Sequence, residues 1–141
     1  MSGDLLQPQV RRLFASLTHA GERHGAADDG DGPELQEVDG EAGRQQQGTR
    51  VRFILRVRGS RLIGARYYAY GCPHTLAVCE WLAERLEAGE ITSLGTPLDW
   101  CEVLGVPIVK LGRLLIVEDA LKAVLTKVAL AATLASENVV K

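Results

Sequence analysis

RVRFILRVRGSRLIGARYYAYGCPHTLAVCEWLAERL, residues 50–86, is the stretch of this sequence that decides the fold. Apolar residues alternate with arginines as far as Arg58, and Ile54 is the one exception. This period of two predicts a strand with one apolar face and one face of guanidinium groups. Gly59-Ser60 predicts a short turn, and residues 62–70 have the pattern of the returning strand of a hairpin. Burial of the apolar face fixes the register, because a one-residue slip would bring arginines into the core. The apolar residues of this face are Val51, Phe53, Leu55 and Val57.

A helix is predicted directly after the hairpin. Gly71 and Cys72 end the strand, and Pro73 fits a first helical position, where its missing N–H costs least. Gly89 is a suitable stop signal for this helix. Its apolar positions recur at helical spacing and predict one buried face. They are Leu76, Cys79, Leu82, Ala83 and Leu86.

Three further helices are predicted from spacing and capping signals. An apolar period over residues 4–20 indicates an N-terminal helix. Thr96-Pro97 predicts a capped helix start, and the helix is expected to end near residue 104. The last helix is placed at residues 114–136 and is followed by a tail over 137–141.

Between the first helix and the hairpin lies an acidic, glycine-rich segment, residues 22–43. It contains eight acidic residues and one base, Arg23. Such a segment buries little apolar surface, so it is predicted to be a mobile loop with a short strand at residues 34–38. The acidic residues are Glu22, Asp28, Asp29, Asp31, Glu34, Glu37, Asp39 and Glu41.

Length and composition limit the class of protein. The 141 residues predict a single domain over 1–141, with a formal charge of −2 and 46% hydrophobic residues. No apolar run is long enough to span a bilayer, and the first residues do not form a signal peptide. Three cysteines without secretory context predict reduced thiols in the cytoplasm. The order of elements predicts an α+β fold, in which helices cover one face of a three-stranded antiparallel sheet.

Cys72 is the strongest candidate for chemistry. It lies at a predicted helix N-terminus, where backbone amides favour a thiolate, and a thiolate is the form that binds iron or accepts sulfur. The alternative is a buried structural cysteine. Cys79 lies on the apolar stripe and Cys101 follows a tryptophan, so both are predicted to be core residues. His19 and His24 lack ligand spacing and are predicted to be solvated.

Six arginines between Arg50 and Arg66 form a second candidate site. With Tyr67, Tyr68 and Tyr70 nearby, the pattern matches a nucleic-acid-binding patch. However, alternating strands place charged residues on a solvated face, and the acidic segment is able to neutralise them. Nucleic acid is therefore not the expected partner. Since the sequence contains no Ser/His/Asp set, phosphate loop or pair of catalytic carboxylates, an enzyme is not predicted and no catalytic residue is assigned.

The stretch RVRGSRLIGARYYAYGCPHTLAVCEWLAERL, residues 56–86, resembles the IscU/NifU-type iron–sulfur cluster assembly scaffolds. It matches the second half of that family's hairpin, its central cysteine and the following helix. VEDALKAVL, residues 117–125, resembles the start of the family's long final helix. The resemblance covers roughly residues 34–128, and the Tyr-Gly-Cys-Pro segment is its most specific part. It implies the NifU N-terminal-like fold, in agreement with the α+β prediction.

The resemblance also implies a function. Family scaffolds hold a [2Fe–2S] cluster with three cysteines and a nearby aspartate or histidine, and they accept sulfur from a cysteine desulfurase as a persulfide. Here Cys72 matches the middle cysteine and is the predicted persulfide acceptor and metal ligand. Gln47 replaces the first cysteine, and Thr49 replaces the aspartate of the same loop. Gly112-Arg113 stands where the family has His-Cys. The family's chaperone-binding segment corresponds to Val106-Pro107-Ile108-Val109-Lys110.

Three functions remain open from the sequence. The first is a ligand-depleted scaffold homologue that uses Cys72 as a lone sulfur acceptor and contacts a desulfurase or another assembly protein. The second is a genuine scaffold that binds a cluster or iron across an oligomer or with Cys101. The third is a metal-free interaction module. Because glutamine, threonine and glycine do not replace thiolate ligands, a single chain is expected to hold no stable cluster, and the first function is preferred.

Overall fold

The computed structural model describes residues 17, 19–21, 35–58, 61–91 and 93–140. In this part of the chain, a run of strands is followed by a run of helices. The strands are β1 (Leu35–Arg44), β2 (Thr49–Arg58) and β3 (Arg61–Tyr70). The helices are α1 (Pro73–Glu87), α2 (Pro97–Leu104) and α3 (Leu111–Val140), with short 3-10 turns at Gln45–Gln47 and Ile108–Lys110.

The three strands form one antiparallel sheet in the order β1-β2-β3. Helix α3 packs on β1 and β2, and α1 packs on β3, so the helices cover one face of the sheet. Val51, Phe53 and Leu55 point into this interface and are fully buried. The predicted α+β fold and the apolar face of the hairpin are therefore confirmed.

Residues 35–38 form a strand as predicted, but the prediction of a mobile loop is wrong for residues 39–43, which also belong to β1, and residues 22–34 lie outside the described residues. The strand is ten residues long and continues well past the predicted end at residue 38. Its acidic side chains lie opposite the arginines of β2: Asp39 accepts from Arg52 at 2.9 Å, and Glu41 accepts from Arg50 at 2.7 Å. The hydrogen bond from Arg52 holds the pKa of Asp39 below its usual range. Charge pairing across the strands thus allows an acidic segment to join the sheet.

Gly40 lies in β1 at a point where the backbone of α3 comes close to the strand. A Cβ atom at residue 40 would lie within 3 Å of the carbonyl carbon of Ala123 and the carbonyl oxygen of Ala120, both in the backbone of α3. The glycine therefore lets a helix backbone approach the sheet closely. In the sequence, the same glycine is typical of a loop.

The helix boundaries follow the predicted capping signals. Pro73 is the first residue of α1, and Gly89 has a left-handed φ of 87° just past its end. At the start of α2, the Thr96 hydroxyl accepts from the Asp99 amide, and the Asp99 carboxylate accepts from the Thr96 amide. This reciprocal capping box stabilises the short helix.

The last helix differs from its prediction at both ends. It begins three residues before position 114 and continues to Val140, so residues 137–140 are helical and not a tail. Since neither glycine nor proline occurs after residue 112, no local signal ends the helix earlier. No helix in the described part of the chain combines the length and the apolar character needed to cross a bilayer.

Two other predicted elements lie largely outside the described residues. These are the Gly59-Ser60 turn and most of the N-terminal helix over 4–20. Among the described residues of that region, Ala20 forms a parallel bridge with Tyr67 of β3.

The buried face of β2 predicts a strong effect of charge at Phe53. This side chain is fully buried and packs against the Tyr67 ring, with 6.4 Å between the ring centroids. We expect Phe53→Asp to lower the free energy of unfolding by more than about 4 kcal/mol, because it removes a large core side chain and buries an unpaired carboxylate. Urea denaturation followed by circular dichroism measures this loss. Arg56→Gln on the opposite face is the control and should change stability by no more than about 0.5 kcal/mol. A Phe53→Asp variant with normal stability would contradict the register.

Candidate functional site

Cys72 lies at the junction between β3 and α1. It is the N-cap residue of α1, with an extended backbone, and it is followed by Pro73 at the first helical position. The residue is half-buried, unlike the other two cysteines. The sequence Gly-Cys-Pro thus ends the strand, starts the helix and leaves one thiol accessible at the helix N-terminus.

Polar groups surround the Cys72 thiol. Its Sγ atom lies 3.6 Å from Thr75 Oγ1, one turn into the helix, and Arg113 of α3 lies close enough to affect the pKa of the thiol. Burial opposes ionisation, but these side chains and the backbone of the first helical turn outweigh it and lower the pKa of Cys72 below its usual value. The lowered pKa therefore favours the thiolate form of Cys72.

His74 adds a buried imidazole to the same region. It is 6% exposed, and its Nε2 atom has no hydrogen-bond partner among the described residues. Burial, followed by the charges of Lys110 and Arg113, holds the pKa of His74 below its usual value. Arg113 thus affects the pKa of both the thiol and the imidazole. The arrangement is a nucleophile and a neutral base beside two cations.

The positions aligned with the family ligands have different environments. Gln47 lies exposed on the 3-10 turn that follows β1, and Gly112 is exposed at the start of α3. Thr49 is buried, and its hydroxyl has no partner among the described residues. Because Arg50 pairs with Tyr70, Thr49 lies at the end of the sheet where Cys72 follows β3. The structure therefore brings Thr49 and Arg113 to the thiol's end of the sheet.

The donor chemistry of these side chains does not fit an iron–sulfur cluster held by one chain. Arg113 stands at a position aligned with a lost family ligand, and a guanidinium has donors only. Cys79 is fully buried, and burial raises the pKa of its thiol, while Cys101 is 6% exposed within the core. Both are core residues, as predicted. Cys72 is thus the one thiol at this end of the sheet within the part of the chain that the structure describes.

The segment aligned with the chaperone-binding motif leads directly into α3. Val106 is buried and anchors the segment, whereas Ile108 and Val109 are 63% and 81% exposed. Lys110 and Arg113 follow within one turn. An exposed apolar pair therefore lies next to Lys110 and Arg113, the two cations whose charges lower the pKa of His74.

A second polar cluster was missed by sequence analysis, and the prediction that His19 is solvated is wrong. Its side chain is only 14% exposed and lies between two carboxylates of α1, with Nδ1 2.5 Å from Glu80 and Nε2 2.7 Å from Glu87. The Tyr67 hydroxyl donates to the fully buried Glu80 at 3.1 Å. His24 lies outside the described residues.

The sequence signal for this cluster is Glu80 itself. It falls between Cys79 and Ala83 on the apolar stripe of α1, where an acid requires a buried partner. That partner is separated from it by 61 residues along the chain.

The His19 cluster predicts a pH dependence of stability. Burial opposes protonation, but hydrogen bonds to Glu80 and Glu87 and their charges outweigh it, so the pKa of His19 is raised. Its stabilising contribution is fully present below the unfolded pKa of about 6.5 and is lost as pH rises through the higher folded value. We expect His19→Gln to cost about 1–3 kcal/mol at pH 6 and clearly less at pH 9. Urea denaturation of both proteins across this range tests it; a pH-independent difference would contradict it.

No protein-family model matches the chain, and no curated protein matches it.

Proposed function

We propose that this protein is a ligand-depleted iron–sulfur assembly scaffold homologue that accepts sulfur on Cys72 and acts through contacts with other assembly proteins. The observation that carries the proposal is the polar environment of the Cys72 thiol. It lies at a helix N-terminus, 3.6 Å from the Thr75 hydroxyl, and Thr75 and Arg113 are among the groups that lower its pKa. The resemblance of residues 56–86 to the scaffold family supports the same function.

Sulfur acceptance is a redox-neutral transfer between thiols. The Cys72 thiolate attacks the terminal sulfur of a persulfide on the donor cysteine. A new S–S bond forms at Cys72, the S–S bond of the donor breaks, and the electron pair leaves with the donor thiolate. A low thiol pKa favours the attacking form, and the product persulfide is itself an anion at neutral pH.

Arg113 supports the anionic forms of this site. Its guanidinium helps to lower the pKa of Cys72 and carries a permanent positive charge. The same charge disfavours a ferrous ion bound to that sulfur. The replacement of a ligand position by arginine therefore favours a sulfur-carrying thiol over a metal-carrying one.

The exposed apolar residues beside the site supply a docking surface for the assembly partner. Val109 and Ile108 are the most exposed large apolar side chains among the described residues, and Lys110 adds a cation next to them. A cysteine desulfurase or a chaperone is the partner that the family resemblance implies. Such a partner would contact the 3-10 turn while its sulfur donor reaches the start of α1.

The first test is direct sulfur transfer. Incubation with a cysteine desulfurase, cysteine and iron should add one sulfur atom to the protein, which intact-mass spectrometry measures. Cys72→Ser should abolish the addition, because it removes the nucleophile. Cys101→Ala, which removes a buried thiol, is the matched control and should retain the addition.

Three outcomes would contradict the proposal. Absence of both sulfur addition and desulfurase binding would leave Cys72 without the proposed partner. An iron-loaded, coloured monomer after anaerobic reconstitution would instead favour a genuine scaffold. Partner binding that Cys72→Ser leaves unchanged, with no sulfur addition in the parent protein, would favour the metal-free interaction module.

The second test concerns Arg113. Because Arg113 is one of the groups that lower the pKa of Cys72, Arg113→Met should move the pH profile of iodoacetamide alkylation to higher pH and slow the reaction several-fold at pH 7. At a pH above both pKa values the two rates should converge. Arg113→Lys keeps the charge and should shift the profile less. A profile that Arg113→Met does not move would exclude this role for Arg113.

A further inference from the structure

The face of the sheet opposite the helices contains a cleft that the proposed function does not use. Its volume is about 430 Å³, which falls in the range of small-ligand sites. It opens at the end of the sheet where β1 turns into β2. The residues that line it are Gln45, Arg50, Arg52, Tyr68, Ala69 and Tyr70.

Strand register places two arginines directly opposite two tyrosines in this cleft. Arg50 pairs with Tyr70, and Arg52 pairs with Tyr68. Directly opposed residues of antiparallel strands project from the same face, so all four side chains lie on the outer face. The rings are large and accessible, with Tyr70 50% and Tyr68 41% exposed. An aromatic ring and a guanidinium thus form a unit that occurs twice, side by side.

Each unit offers the two groups that recognise a nucleotide. The tyrosine ring is a stacking surface for a base, and the guanidinium is a donor for a phosphate. The Arg52 guanidinium lies 5.9 Å from the centroid of the Tyr68 ring, so both groups are close enough to contact one nucleotide. A peptide carboxylate would use the arginines but not the rings.

The spacing of the two units favours a single strand over a duplex. Alternate residues of a strand are about 6.7 Å apart, which is about twice the 3.4 Å between neighbouring bases of a duplex strand. Bases that stack on both tyrosines must therefore be separated from each other, as they are in single-strand recognition.

The charge of the outer face is compatible with a polyanion, although acids are present. Glu41 and Asp39 contact Arg50 and Arg52, yet a guanidinium has five N–H donors, and the Arg52 contact uses only Nε. Lys127 lies 3.6 Å from Asp39 and offsets part of its charge. By register, the arginines on this face outnumber its acids by three. The arginines are Arg50, Arg52, Arg56, Arg58, Arg61 and Arg66, and the acids are Glu37, Asp39 and Glu41.

We propose that this cleft binds single-stranded nucleic acid, with successive bases stacked on Tyr68 and Tyr70 and phosphates held by Arg50 and Arg52. The binding is sequence-tolerant, because stacking and phosphate contacts do not read base edges. The site is separate from the Cys72 thiol and does not depend on sulfur transfer.

Fluorescence anisotropy with labelled U10 and dT10 at 50 mM salt tests the proposal. We expect dissociation constants of about 1–100 µM, in the range of non-specific binding. Tyr68→Ser/Tyr70→Ser should weaken binding at least tenfold, because it removes both stacking surfaces. The matched Tyr68→Phe/Tyr70→Phe protein keeps the rings and should bind like the parent protein. Cys72→Ser should also leave binding unchanged.

The arginines have their own readout. Arg50→Gln/Arg52→Gln should reduce the slope of log affinity against log salt by about 1.4, since each phosphate contact on a single strand contributes about 0.7. The control Arg85→Gln/Lys122→Gln removes two charges from helices α1 and α3 and should leave the slope unchanged. Circular dichroism of every variant checks that the fold is retained.

Several results would overturn the proposal. No binding at 500 µM protein would do so, as would equal affinity for a duplex of the same length. Binding that survives Tyr68→Ser/Tyr70→Ser, or that the Phe variant loses, would exclude stacking as its basis. Equal competition by polyglutamate would identify the cleft as a site for acidic peptides, and binding of uridine monophosphate without U10 would identify a mononucleotide site.

Discussion

Burial of one face of β2 against the helices is the constraint on which the rest of the structure depends. Phe53 and Leu55 are fully buried because α1 and α3 cover the inner face, and a shift by one residue would exchange them for arginines. The same register sets both ends of the sheet. It places Arg50 opposite Tyr70, and thus brings the start of β2 to the point where Cys72 begins α1.

Ion pairs add to the hydrophobic burial in holding the sheet together. The outer face of β2 is a row of arginines, and an isolated row of like charges would repel itself. Strand β1 supplies Asp39 and Glu41 on the same face, so the acidic segment is paired with the sheet for part of its length. On the inner side, the buried Glu80 is satisfied by Tyr67 and His19, which ties residues 19–21 to β3 and α1. The acids of β1 and the buried Glu80 are thus each paired with a basic residue from another segment of the chain.

The elements predicted correctly are those in which local and tertiary preferences agree. The hairpin and α1 follow from alternation, a helical stripe and Pro73, and each is confirmed by the fold. The full length of β1 could not be predicted from the sequence. A glycine such as Gly40 is equally compatible with a loop and with a strand that a helix backbone approaches closely. The position of Cys72 at a helix start was predicted, whereas the effect of Arg113 on its pKa depends on how α3 crosses the sheet. The pairing of His19 with Glu80 joins residues that are 61 positions apart, so it cannot be predicted from local sequence. Its one local signal is an acidic residue on the apolar stripe of α1.

The two candidate sites share one structural origin but use different chemistry. Along β3, alternation sends Tyr68 and Tyr70 to the outer face, and the chain then turns at Gly71 so that Cys72 lies at the end of the sheet beside Arg113. A cation accompanies each functional group: Arg52 lies over the Tyr68 ring, and Arg113 lies beside the thiol. Since Arg113 comes from α3 and Arg52 comes from β2, the two cations are carried by different elements. Substitution of Arg52 or of Arg113 is therefore expected to perturb only the site to which that arginine belongs. The strand register on which both sites depend is expected to be retained.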